Sequence, residues 1–211
     1  MCRGDHHGRR ADVPVSRRVR LERGFYARDT VSVARELLGQ QLVRILDGQR
    51  LSGRIVETEA YVQGDEACHA TRGKTNRTEV MFGPPGHAYV YFIYGMHHCL
   101  NAVTEREGFA GAVLIRALEP LEGLQTMHAR RNGRPERQLT NGPGKLCQAL
   151  AVGREMNGVD LVRSEVVFIE ADARVDDKVV LTTPRINVRG DELALTFPWR
   201  FVIGDSPFRS R

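Results

Sequence analysis

Two glutamates, Glu57 and Glu59, stand two residues apart in the run Gly53-Arg54-Ile55-Val56-Glu57-Thr58-Glu59-Ala60-Tyr61. In an extended strand this spacing sets their Cα atoms ~6.8 Å apart on one face, with Tyr61 beyond them. A carboxylate so placed can take a proton from water, or two can divide acid and base roles. The plainer alternative is a pair of solvent-facing glutamates on a sheet. Apolar runs of this kind exclude ionised groups unless the groups pair or work. The same tension recurs downstream, where Asn101 and Arg116 interrupt the apolar runs His98–Val103 and Gly111–Leu118. Each of these, taken alone, is either a structural hydrogen-bonder or a site residue.

Tyr89, Tyr91 and Ile93 alternate onto one face of a third run, and Gly95 leaves Tyr94 and Met96 near a hairpin tip. A large side chain there can act as a wedge into a base stack. Tyr61 and Tyr91 could sandwich a planar and above all a cationic ligand. His69, His97, His98, Cys68 and Cys99 match no zinc-ligand spacing, so no metal is expected. Asn141-Gly142-Pro143-Gly144-Lys145 presents backbone N–H groups and a lysine where a helix begins, a possible phosphate seat, without P-loop spacing.

The elements that must position these groups can be read in order. Asp29 or Thr30 caps a short helix with Val31, Ala34, Leu37 and Leu38 on its apolar side. Leu42–Leu46 and Leu51–Ala60 are strands joined by an Asp47-Gly48 turn. Residues 62–87 form a long connection, of a length that in compact domains tends to be functional or disordered. Ala88–Tyr94 and His98–Val103 form a hairpin, Gly111–Leu118 is a strand, and Pro120–Arg131 reads as a helix. A helix follows Lys145, and later strands are expected at Val166–Glu170, Val179–Thr182, Pro184–Val188 and Arg200–Ile203. The class is mixed α/β (α+β): one domain with a largely antiparallel sheet and flanking helices.

Composition sets the outer bounds. The 211 residues fit one domain, and 41% hydrophobic with 27% charged content fits a globular chain. No apolar run approaches the ~20 residues of a membrane span, and the N-terminus lacks the apolar segment of a secretory signal. Four cysteines without a C-x-x-C pair predict reduced thiols and a cytoplasmic setting. Residues 1–23 hold seven Arg against three acids, which accounts for most of the net charge of +5 and reads as a disordered basic tail before a near-neutral domain at 24–211. Within the domain, Arg72, Lys74 and Arg77 form one local basic patch, and Arg130, Arg131, Arg134, Arg137 and Lys145 another. Either can serve solubility or a polyanionic partner.

Jointly, Glu-Thr-Glu-Ala-Tyr (57–61), His69, Met81-Phe82-Gly83-Pro84-Pro85-Gly86, Tyr-Val-Tyr-Phe-Ile-Tyr-Gly-Met (89–96), Asn101, Leu-Ile-Arg-Ala-Leu-Glu-Pro (114–120), Asn-Gly-Pro-Gly-Lys-Leu (141–146) and, more loosely, Gly-Asp-Ser-Pro (204–207) resemble the alkyladenine (3-methyladenine) DNA glycosylase family. The resemblance covers residues 24–208. It implies a single mixed domain with a curved antiparallel sheet and a protruding, DNA-inserting β-hairpin. It further implies a monofunctional enzyme that excises alkylated and deaminated purines from double-stranded DNA, with no metal or organic cofactor.

By motif, the resemblance makes Glu59 the general base, with Arg116 helping to hold its water. Tyr61, His69 and Tyr91 enclose the flipped base, Asn101 excludes the guanine amino group, and Tyr94 fills the gap in the duplex. Glu57 has no comparable role in the family. Met96, Arg72 and Lys145 are expected at the DNA, and the protein is expected to act as a cytoplasmic monomer, nucleoid-associated if bacterial. The family usually has Asn after Arg77, where this chain has Thr78. Two other readings remain: a carbohydrate-directed glycosidase using Glu57 and Glu59, and a non-catalytic damage- or RNA-binding module.

Overall fold

The run carrying the glutamates and the run carrying Arg116 become the two central strands of the sheet. The computed structural model describes residues 19–93 and 95–210. They build β1 (Gln41–Leu46), β2 (Gln49–Val62), β3 (Ala88–Ile93), β4 (His97–Val103), β5 (Gly111–Glu122), β6 (Val167–Glu170), β7 (Val180–Thr183) and β8 (Arg200–Ile203). The helices are α1 (Arg23–Tyr26), α2 (Thr30–Glu36), α3 (Leu124–Arg130), α4 (Pro143–Ala149) and α5 (Glu192–Thr196). Every strand pairing is antiparallel. The order is β3-β4-β5-β2-β1-β6, with β8 beside β2 and β7 beside β8. This is the mixed, single-domain, antiparallel fold expected from the sequence.

Strand β2 is the spine. One edge runs along β5 from Ser52 to Val62. Its other edge pairs with β1 as far as Arg54 and then with β8 at Glu57–Glu59. The β2–β5 register slips where the partner changes. Ile55 faces Leu118 and Glu57 faces Ala117, leaving Val56 extra; Thr58 then faces Ile115, leaving Arg116 extra. A β-bulge re-aims the side chains beyond it. Here Leu51 and Ile55 pack in the main core before the slip, and after it Ala60 takes the core side. Glu57, Glu59 and Tyr61 thereby turn to the opposite face. On β5 the change is the same: Leu118 is core, then Ile115 and Val113, which frees Arg116, Leu114 and Ala112 for the other face.

The main core joins that face to α2 and α4 through Val33, Ala34, Leu37, Leu146 and Cys147. A smaller cluster of Cys68, Ala70, Met81, Tyr89, Val103, Ala110 and Ala112 lies on the other face. Helix α2 starts as anticipated: Asp29 caps it, accepting from Ser32 N–H at 2.8 Å.

Three expectations change. The helix expected at Pro120–Arg131 begins only at Leu124, because β5 continues to Glu122. Pro120 is tolerated in it because it faces Gly53 at another register slip, with Leu121 extra. Pro184–Val188 is not a strand but a loop that crosses the site. The chain also joins the fold at Val19 rather than at residue 24. Val19 C=O accepts from Ala171 N–H at 2.8 Å, Leu21 is buried, and Arg23 pairs with Asp160 at 2.6 Å. The rest of the basic tail, residues 1–18, lies outside the described residues.

Candidate active site

Glu57, Glu59 and Arg116 meet at the bulge, and none of them faces bulk water. Both glutamates are fully buried and Arg116 nearly so, which removes the solvent-facing alternative. Arg116 bridges them, with Nε donating to Glu57 Oε1 at 2.8 Å and Nη1 to Glu59 Oε2 at 3.0 Å. The two carboxylates differ in what else they hold. Glu57 also accepts from Arg200 Nε at 2.8 Å and from the backbone N–H and Oγ of Ser210, both at 2.6 Å. Four donors hold Glu57, three on Oε1 and one on Oε2. Glu59 accepts from Arg116, from the Tyr61 hydroxyl at 2.8 Å and, on Oε1, from Ile186 N–H at 2.7 Å. Three donors leave Glu59 about one acceptor position.

Charge follows geometry. Burial alone would raise the Glu57 pKa, but the Ser210 hydrogen bonds, Arg116 and Arg200 outweigh it and hold the carboxyl below its ordinary value. Burial and the adjoining Glu59 push the Tyr61 phenol well above its ordinary value, so Tyr61 stays a donor to Glu59.

A cavity of about 570 Å³ opens in front of this cluster. Tyr61, Arg116 and Ile186, the three residues that hold Glu59, line it, so the carboxylate sits directly behind its wall. Aromatic side chains from β3 and the 62–87 connection form another wall. His69 and Tyr91 meet edge to face with centroids 4.5 Å apart, and His69 Nδ1 lies 3.0 Å from the Tyr89 hydroxyl. Burial, aided by Arg77, lowers the His69 pKa to about 4, so the imidazole is neutral. Asn101 lines the cavity with its Nδ2 on Tyr89 C=O at 3.0 Å.

Residues 141–145 close the cavity from the side of α4. Gly144 is required there: a Cβ would come within 2.9 Å of the His97 ring, so only glycine lets the hairpin approach the helix.

Comparison with known proteins identifies the family. The family model described as "Methylpurine-DNA glycosylase (MPG)" matches residues 24–207. The chain belongs to the methylpurine-DNA glycosylase family. With the family comes the enzyme class, a DNA glycosylase acting on an N-glycosyl bond. Relatives named "Putative 3-methyladenine DNA glycosylase" include one from Alkaliphilus oremlandii, 50% identical over 203 residues (92% of this chain and all of the relative). Another from Carboxydothermus hydrogenoformans is 49% identical over 191 residues, 90% of this chain and 98% of the relative. A third from Methanocella arvoryzae is 50% identical over 194 residues, 90% and 96% of the two chains.

The structure brings Arg116, Tyr61, His69, Tyr91 and Asn101 to the lining of one cavity, with Glu59 bound to Arg116 and Tyr61. Lys145 also lines it, with Nζ 2.9 Å from Asn141 Oδ1. Arg72 is exposed on the connection and does not line the cavity. Met96 is exposed at the hairpin turn, and Tyr94 lies outside the described residues. Thr78 is buried and fastens its loop: Oγ1 donates to Gly73 C=O at 3.1 Å and accepts from Thr75 N–H at 2.9 Å. No group of residues suited to a metal ion occurs among the described residues. No helix among them is long and apolar enough to cross a membrane.

Sequence reasoning missed Ser210, Arg200, Ile186 and Arg185. Arg185 is buried with Asp65, donating at 2.5 and 2.9 Å, and its guanidinium lies 4.8 Å from the Tyr61 ring centroid. Its place in the Pro184–Val188 run gave no sign of this, because Asp65 is 120 residues away.

Proposed function

We propose that this protein is a monofunctional purine DNA glycosylase that flips alkylated or deaminated purines out of duplex DNA and hydrolyses the N-glycosidic bond. The reading takes its lesion class from the names of the relatives and from the sequence resemblance. The single observation that carries the mechanism is Glu59, buried behind an aromatic cavity with an acceptor position to spare. A target atom inside a duplex is out of reach, so the nucleotide must rotate out, at a cost of a few kcal/mol. A cavity of about 570 Å³ is within the usual small-molecule range. Tyr61, His69 and Tyr91 then enclose the base, and a neutral His69 does not repel a cationic alkylpurine. By the sequence resemblance, Tyr94 supplies the wedge.

As the base departs, the sugar gains oxocarbenium character, which the adjacent carboxylate stabilises. Glu59 accepts a proton from water, and Arg116 and Tyr61 fix the carboxylate for that step. An N-alkylated purine is already a good leaving group, so one acid-base residue suffices. Asn101 excludes the guanine amino group. The enzyme acts as a monomer in the cytoplasm, nucleoid-associated if the source is bacterial, with no cofactor.

The test is incubation with duplexes each carrying one defined lesion: 3-methyladenine, hypoxanthine or ethenoadenine. Free base and an abasic site are expected from at least one. Release of none of them, alongside salt-dependent duplex binding, would leave a binding module instead. Cleavage of a sugar polymer would favour the carbohydrate reading.

A further inference from the structure

Glu57 is as buried as Glu59, and neither lines the cavity, yet the family resemblance gives Glu57 no role. Its partners come from three parts of the chain. Arg116 reaches it from β5, Arg200 from β8 and Ser210 from the segment after β8, while Glu59 stands two residues away on its own strand. Ser210 is bound twice to Glu57 and also accepts from Arg116 Nη2 at 3.3 Å. The three nitrogens of the Arg116 guanidinium are thereby divided: Nε to Glu57, Nη1 to Glu59 and Nη2 to Ser210. A planar fork held at all three corners cannot rotate. The two buried carboxylates are matched by two arginines, and Arg200 is anchored behind by Nη1 donating to Thr183 Oγ1 at 3.0 Å. Arg116 and Ser210 line the cavity, whereas Glu57 and Arg200 do not.

We infer that Glu57 and Ser210 are positioning residues for the excision reaction: they lock the Arg116 guanidinium so that Nη1 holds Glu59 in its productive orientation. The inference rests on the glycosylase reading above. It assigns the second carboxylate of the pair to geometry rather than to proton transfer.

Ser210→Ala keeps the backbone N–H bond to Glu57 and so preserves the fold, but removes the hydroxyl that joins Glu57 to Arg116. Under enzyme excess on a deoxyinosine or ethenoadenine duplex, its excision rate should fall about 10- to 100-fold, as expected when a reacting group is misplaced by about an ångström. Affinity for the lesion duplex and the thermal midpoint should stay near wild type. A second readout separates positioning from mere support. Glu57 loses a donor in Ser210→Ala, so it takes up a proton more readily, and protonated Glu57 lets go of Arg116. The acid limb of the rate–pH profile should therefore move to higher pH. In Glu57→Gln, which has no carboxyl to protonate, the rate should be low throughout and that shift absent. An unchanged rate in Ser210→Ala, or a slower rate with an unmoved acid limb, overturns the inference. A wild-type protein that releases no base from any lesion duplex overturns the glycosylase reading instead.

Discussion

Ile186 N–H donates to Glu59 Oε1 at 2.7 Å and is the one donor on that oxygen among the described residues, since Tyr61 and Arg116 both bind Oε2. The loop after β7 therefore fixes the carboxylate while leaving an acceptor position beside its own bond. Glu57, on the same strand face, receives three donors on Oε1 alone. Strand alternation does not separate the two glutamates; their partners do, four donors on Glu57 against three on Glu59.

Glu59→Gln keeps the shape of the side chain but cannot accept a proton. Loss of a general base costs ~10²–10⁴-fold in rate. Single-turnover excision should fall by that amount, while binding to a lesion duplex stays near wild type. A variant that retains more than a tenth of the rate would remove Glu59 from the chemistry.

The His69 imidazole resists protonation, with its pKa lowered from 6.5 to about 4 by burial and Arg77. A depressed folded value means that the unfolded chain binds the proton first. The stability this group contributes is full above about pH 6.5 and is lost as the pH falls toward about 4. The outer edge of His69 is exposed, so solvent moderates the effect. A ring-nitrogen NMR titration should place the His69 midpoint clearly below 6.5, the ordinary value for histidine. A midpoint at or above that value would contradict the neutral pocket wall.

Much of the fold was legible because its signals are local. The Asp29 cap, the Asp47-Gly48 turn and the alternation of Tyr89, Tyr91 and Ile93 each depend on a few neighbouring residues. The slips at Val56 and Arg116 were not, because a bulge is set by the partner strand. Pro120 reads locally as the start of a helix, yet opposite Gly53 it is accommodated inside a strand. Ile186 and Val188 alternate like strand residues, but the Ile186 N–H is bound to a carboxylate 127 residues away. The motif residues of the site were legible together; the residues that hold them were not, because Arg200 and Ser210 approach only after the sheet is assembled.

Arg185 and Asp65 are both fully buried, and Arg185 also donates to Ala60 C=O and Ala194 C=O, each at 2.9 Å. Removing one partner leaves an uncompensated buried charge, at a cost of ~3–5 kcal/mol. Arg185→Met should lower the urea unfolding free energy by that much. Asp65→Asn combined with Arg185→Met should cost less than the two single changes added together. Strict additivity would show that the pair is not coupled.

Residues 1–18 carry five Arg against two Asp. Each phosphate contact made by such a tail adds ~0.9 to the salt slope of duplex binding. Deleting these residues spares the contacts of Val19, Leu21 and Arg23 with the fold. Binding at low salt should weaken and the slope should shrink, with single-turnover excision nearly intact. A slope equal to that of the full chain would show that the tail makes no phosphate contacts.

Lys145 is a lysine in the wall of the cavity, and a lyase forms an imine between such an amine and the sugar. Its Nζ is directed at Asn141, 2.9 Å from Oδ1 and 3.4 Å from the backbone oxygen. Nζ is thus held by the 141–145 turn, whereas Glu59 is held by Arg116, Tyr61 and Ile186. Water activated by Glu59 should therefore capture the sugar, and the abasic strand should stay intact. Borohydride added during turnover on a deoxyinosine duplex should trap no covalent protein–DNA adduct, in wild type or in Lys145→Ala. Lys145→Ala should weaken duplex binding yet still release free base. An adduct that forms with wild type and vanishes in Lys145→Ala would replace the hydrolytic mechanism with an imine one.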